Sequence, residues 1–348
     1  MRKTFLKHFR GIALLCFAGM ALFSSCNQTV SGTESNTGGT GSSSEKSWDK
    51  VDSLKNAYID SGIFDHFGFA ATLSELKGLK ETNEKDNSDI PDILSKHGNT
   101  TTLGNEAKPQ WILWYYNGTP SHTASFTASN GKIIDVPDSI PTTNDKEHGL
   151  GGLGEAMKIC MDKGIQMRGH VLTWHSQTFD WFFCKDYDVS KGLTDKDTMT
   201  ARHEWYIKTV LEYVQTWEDA NLTPEWKTAH GNHIIYTWDV VNEAVADDAL
   251  STEYIRGSTP GTNTDIPALA VGCPEGGTSR WYQIYQSDEF IINAFRFANK
   301  YAPSDVTLCY NDYNEYMDWA NPQNNSRGIK RNGIIKLLES LLRHKNDA

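Results

Sequence analysis

The run IIYTWDVV at residues 234–241 decides how this chain folds. It is nearly continuous in apolar character, interrupted by Thr237 and Asp239. A strand with one wet face alternates apolar and polar residues, whereas a strand covered on both faces reads as one apolar run, the mark of a parallel sheet flanked by helices. The neighbouring segments fit that setting. Upstream, Thr198–Ala220 carries Trp205, Ile207, Val210, Leu211, Val214 and Trp217 at mostly helical steps. Before it, Ile165–Leu172 reads as a strand, Gly151–Gly164 as a helix with a glycine stop, and Thr100–Leu103 and Phe67–Thr72 as strands. Downstream, Trp281–Tyr301 reads as one helix, Val306–Tyr310 as a strand and Arg327–His344 as an amphipathic helix. This makes five βα units of a parallel α/β architecture, with Pro109–His148 and Thr252–Ser279 as long loops. In an α/β barrel the loops at the carboxyl ends of the strands build the site.

Composition narrows the function classes. The chain has 348 residues, enough for about two domains at roughly 150 residues each or for one large barrel. Its formal net charge of −11 argues against a nucleic-acid binder, which needs clustered Lys and Arg. Aromatic residues make up 11%, a surplus that suits a cleft stacking against flat rings. Cys160, Cys184, Cys273 and Cys309 show no zinc-ribbon spacing, and whether any two form a disulfide stays open.

The first residues are a leader. Arg2, Lys3, Lys7 and Arg10 precede the apolar or small stretch Gly11–Phe23, which is shorter than the roughly 20 residues that span a bilayer. Ser24 and Ser25 then stand before Cys26, a pattern resembling a bacterial lipoprotein signal with Cys26 as the lipidated residue. Residues 1–25 are thus expected to be a lipoprotein signal peptide, 26–47 a Ser/Thr/Gly-rich linker, and 48–348 the folded domain. The expected location is the bacterial cell envelope, anchored on the outer surface or the periplasmic face, with secretion as the alternative.

Polar and aromatic residues gather just after the strands: Asn105, Glu106 and Lys108; Arg168 and His170, then Trp174, His175 and Gln177; Asn242 and Glu243; and Tyr310 to Asn314. Glu243 follows the doubly buried strand and is flanked by Val241 and Ala244, so desolvation is expected to raise its pKa, as suits a general acid. Asn242 offers an amide to a substrate hydroxyl. His170 and His175 are five apart, a poor metal spacing.

RGHVLTWHSQTFDWFF (168–183), WDVVNEA (238–244), YNDYN (310–314) and TLGNEAK (102–108) resemble, in order, the signature segments of glycoside hydrolase family 10, the endo-1,4-β-xylanases. The resemblance covers roughly residues 64–348. It implies a TIM (β/α)8 barrel of which this chain holds about five of eight βα units. It also implies cleavage of internal β-1,4 bonds of xylan with retention, without a cofactor, by a monomer. Glu243 matches the family's acid/base, and Asn242 the residue that contacts the sugar 2-hydroxyl. His170, Trp174 and Gln177 match sugar-binding positions, and Asn105 and Lys108 the pair that holds the adjacent sugar. Gly104 stands where the family usually has Glu. Tyr310 and Asn311 match supporting positions. A retaining glycosidase needs a second carboxylate about 5–5.5 Å from the first. In the family it lies on the seventh strand in an ITELD-like segment, which this chain does not contain. Asp247, Asp248, Asp312 and Glu315 are not expected to substitute for it. The chain is therefore expected to lack the C-terminal part of the domain and to be inactive alone. The competing functions are a non-catalytic glycan-binding surface lipoprotein and a related barrel glycosidase acting on β-glucan.

Overall fold

The structure, a computed structural model, describes residues 51–79, 87–114, 120–140, 148–247, 254–257, 279–313, 315 and 329–345. The leader, Cys26 and the linker lie outside these residues, as do Asp248, Cys273 and Asn314. The strands are β1 (Gly68–Ala71), β2 (Thr100–Leu103), β3 (Ala124–Thr127), β4 (Ile133–Val136), β5 (Gln166–Trp174), β6 (Ile235–Asn242) and β7 (Thr307–Asn311). The α-helices are α1 (Leu73–Leu76), α2 (Ile90–His97), α3 (Pro109–Ile112), α4 (Gly149–Asp162), α5 (Lys196–Asn221), α6 (Pro224–His230), α7 (Arg280–Tyr285), α8 (Glu289–Tyr301) and α9 (Ile329–His344).

The five strands read from sequence pair in chain order as one parallel sheet, β1-β2-β5-β6-β7. Consecutive strands of a (β/α)8 barrel follow this order. β5 and β6 are buried along nearly their whole length, as a sheet covered on both faces requires. Met167, Leu172 and Val240 of these strands share one core with Leu153 and Met157 of α4, Val210 and Leu211 of α5, and Ile291 and Ala294 of α8. Several helices begin at side-chain caps. Asp195 accepts from the Thr198 N–H at 2.9 Å at the start of α5, and Thr223 with Pro224 opens α6. Gly169 lies under the indole of Trp238, where an added Cβ would stand 2.3 Å from the ring.

Three expectations change. The single helix over Trp281–Tyr301 is two helices, because Gln286 adopts a left-handed φ of +53° between α7 and α8. The loop Pro109–His148 contains α3 and an antiparallel hairpin, β3–β4, which turns at Asn130-Gly131. The strand ending at Leu172 runs on to Trp174, so Trp174 belongs to the strand end rather than to the loop after it. Of the loop Thr252–Ser279, only Tyr254–Gly257 and Ser279 are described. Cys160, Cys184 and Cys309 form no disulfide.

Candidate active site

The carboxyl ends of β2, β5, β6 and β7 bring the expected residues together. Beyond β2, Lys108 donates to Oδ1 of Asn105 at 3.2 Å and to Oε1 of Gln177 at 2.9 Å. Its ammonium lies 5.2 Å from the Trp174 ring centroid. Trp174 closes β5 and donates its indole N–H to Oε2 of Glu243 at 3.1 Å. Trp174 is 7% exposed, a wall residue held from behind, and Trp281 donates to its carbonyl at 3.0 Å. Gln177 is carried in a left-handed turn with φ +43°, and its carbonyl accepts from the Gln110 N–H at 2.7 Å.

The floor is a charged network between strands. His170 Nδ1 lies 2.9 Å from Oδ2 of Asp239. The carboxylate can only accept, so Nδ1 carries the proton, and Nε2 is left as the second polar atom of the ring. Asp239, 1% exposed, also takes two hydrogen bonds from Arg168 Nε and one at 2.6 Å from its terminal nitrogen. Arg168 reaches on to Oδ1 of Asn311 at 2.9 Å, and Asn311 donates to Oδ1 of Asn242 at 2.8 Å. The Asn242 side chain is buried beside the Glu243 carboxyl, whose charged form it favours.

Glu243 sits one residue beyond β6 with φ +53°. Burial raises its carboxyl pKa; the Trp174 N–H opposes this, the Asp312 carboxylate adds to it, and Arg256 opposes it. Burial lowers the Lys108 pKa against the pull of Glu106 and Glu243. His175, beside the site, is pushed down to about 3 by burial and then by Arg256 and Lys330, so it is neutral. The neighbouring acids are engaged. Glu106 accepts from the N–H groups of Leu73 at 2.8 Å and Asn105 at 3.2 Å. Asp312 pairs with Lys330 at 2.8 Å and accepts from the Tyr310 hydroxyl. Asp247 pairs with Lys330 at 2.6 Å. Tyr310 accepts from the Val245 N–H at 3.1 Å.

Arg168, Asp239, Arg256 and Lys330 were given no role from sequence. For Asp239 and Arg168 a signal existed: a charge inside a doubly buried strand requires a partner. For Arg256 and Lys330 the sequence carries none. A larger hollow lies near the amino ends of β5 and β6, around His66, Gln166, Tyr236 and His233. It is remote from these residues, and the carboxyl-end cluster is where the convergent chemistry lies.

Comparison with known proteins agrees with this picture. The model of glycosyl hydrolase family 10 matches residues 53–344. A relative from Caldicellulosiruptor saccharolyticus is 40% identical over 186 residues, 53% of this chain and 45% of that one. Endo-1,4-beta-xylanase Y of Acetivibrio thermocellus is 33% identical over 233 residues, 67% of this chain and 17% of its own. The chain thus spans less than half the length of these relatives. Among solved structures, the Clostridium thermocellum N-terminal endo-1,4-beta-D-xylanase 10B (CBM22-1 and GH10 modules, complexed with xylohexaose) aligns with a TM-score of 0.51 and 27% identity, covering 80% of this chain and 42% of that one.

Proposed function

The chain belongs to glycosyl hydrolase family 10, and from that membership we propose that it acts on xylan as an endo-1,4-β-xylanase with retention of configuration, Glu243 being the general acid/base. The observation that carries this is the Glu243 carboxyl at the mouth of the sheet, its pKa raised by burial and its Oε2 held by the Trp174 indole. A carboxyl whose raised pKa keeps it protonated to higher pH than an ordinary one can give its proton to the glycosidic oxygen as the bond to the anomeric carbon breaks. A second carboxylate attacks that carbon to form a glycosyl-enzyme. Water then displaces it while the Glu243 carboxylate takes the proton back. That second carboxylate is not supplied by Glu106, Asp239, Asp247 or Asp312, whose oxygens already serve cations or backbone. In this reading it lies outside the described residues.

The remaining roles follow from donor and acceptor chemistry. The Asn242 amide beside Glu243 suits a sugar hydroxyl, and the Trp174 ring and His170 suit the sugar at the cleavage point. Lys108, Asn105 and Gln177 form a joined polar edge for the next sugar. With Gly104 in place of an acid, that edge has one contact fewer. We extend the proposal to the leader: Cys26 is lipidated and residues 26–47 tether the domain to the bacterial envelope. Membrane-fraction recovery that is lost in Cys26→Ala is the expected outcome.

The test is reducing-end release from xylan, cellulose and mixed-linkage glucan by the protein purified from its native source. Turnover on xylan is expected, falling about 10²–10⁴-fold in Glu243→Gln. A Glu243→Gln variant as fast as the parent would refute the assignment. The engaged carboxylates favour a second reading, glycan binding without hydrolysis; tight xylo-oligosaccharide binding with no turnover would select it.

A further inference from the structure

A glutamate in the left-handed region is unfavourable and persists only where its surroundings over-determine it. At Glu243 two grips do so. Its N–H donates to the Asn311 carbonyl at 2.8 Å, prolonging the pairing of β6 with β7. Its carbonyl accepts from Arg256 Nε at 2.8 Å. The same guanidinium donates to the Val245 carbonyl at 3.2 Å, and the Arg256 N–H donates to the Ala244 carbonyl at 2.8 Å. The planar guanidinium therefore spans carbonyls on either side of Ala244, and its fixed donor directions leave the turn little freedom. Arg256 is itself secured. It is 7% exposed and lies 3.5 Å from Asp247, which Lys330 and the Tyr313 hydroxyl hold at 2.6 and 2.8 Å.

We propose that Arg256 is a positioning residue for the general acid, locking the left-handed turn at Glu243 and thereby the direction in which its carboxyl meets the glycosidic oxygen. The proposal rests on the reading of Glu243 as the acid/base. A lysine cannot span both carbonyls, and a neutral side chain also removes a cation. The groups that face Glu243 are Trp174 and Lys108 from the β5 and β2 ends, Arg256, and Asp312 and Tyr313 beyond β7. Arg256 favours the carboxylate, so its removal moves the proton loss of Glu243 to higher pH.

The experiment compares Arg256→Met and Arg256→Lys with the native protein on xylan and on a dinitrophenyl xylobioside, whose leaving group departs without protonation. For Arg256→Met on xylan, kcat and kcat/KM are expected to fall about 10–100-fold with KM changed less than about twofold, while kcat/KM on the aryl substrate, which reports glycosylation alone, falls less than about threefold. The alkaline limb of kcat/KM on xylan should move up in Arg256→Met and stay in place in Arg256→Lys, which should show an intermediate loss on xylan. If Arg256→Met does not accumulate folded, the split between the two substrates in Arg256→Lys decides. Equal losses of kcat/KM on both substrates, or an unchanged xylan rate, overturn the inference while the reading of Glu243 stands. A native protein that cuts neither substrate overturns that reading and this inference with it.

Discussion

At the scale of single residues, position along a strand and burial set the chemistry. The Glu243 pKa is raised, so its acid form persists to higher pH than an ordinary carboxyl. Glycosylation needs that form, so kcat/KM on xylan is expected to fall as pH rises through the raised value. A profile falling only near the ordinary carboxyl value of about 4.3 would contradict it. Asp239 is a buried carboxylate shared by two partners. Asp239→Asn leaves Arg168 and His170 without their shared carboxylate, and a loss of about 3–5 kcal/mol is expected in denaturant unfolding. Glu243, Asn242 and the Lys108 edge were all legible as residues, because each stands just past an apolar strand or in a recognisable segment. What Asn242 and Lys108 bond to was not, since their partners Asn311 and Gln177 lie 69 residues further along the chain.

At the scale of elements, packing and local turns decide the outcome. Gly169 and Trp238 face each other across β5 and β6, and Gly169→Ala drives a methyl into the ring. A destabilisation of about 1–3 kcal/mol is expected, read as a lowered Tm. At the other end of the sheet His233 lies between Glu218 of α5, at 2.8 Å, and Asp305 before β7, at 2.9 Å. Both rings' nitrogens can donate only in the imidazolium, and the Glu218 contact is the larger reason its pKa is raised. The sign follows: this bridge contributes fully below the ordinary histidine value of about 6.5 and fades as pH rises through the raised one. His233→Asn should cost about 1 kcal/mol in urea at pH 6, and the difference should shrink by pH 9. The long helices were readable from spacing. The hairpin β3–β4 was not, although Asn130-Gly131 between short alternating runs is its signal. Ser125 and Thr127 in the first run made it look like loop.

At the scale of the whole molecule, the parallel sheet has β1 and β7 at its edges among the described residues. Three of the four β1 residues are exposed, including Phe69 at 37%. Open parallel edges invite pairing with other chains. A polypeptide of residues 48–348 is therefore expected to self-associate in light scattering; a monodisperse monomer with one cooperative unfolding transition would contradict this. By itself the sequence determined the parallel α/β class, the five strands in order and the residues at their carboxyl ends, because hydrophobic period and short motifs act over a few residues. Only the tertiary structure decided that Asp239 joins Arg168 to His170, that Arg256 grips the turn at Glu243, and that Lys330 on α9 neutralises Asp247 and Asp312. Local spacing says which face of a strand a side chain takes. Which distant residue waits there is settled by the pairing of strands and the docking of helices.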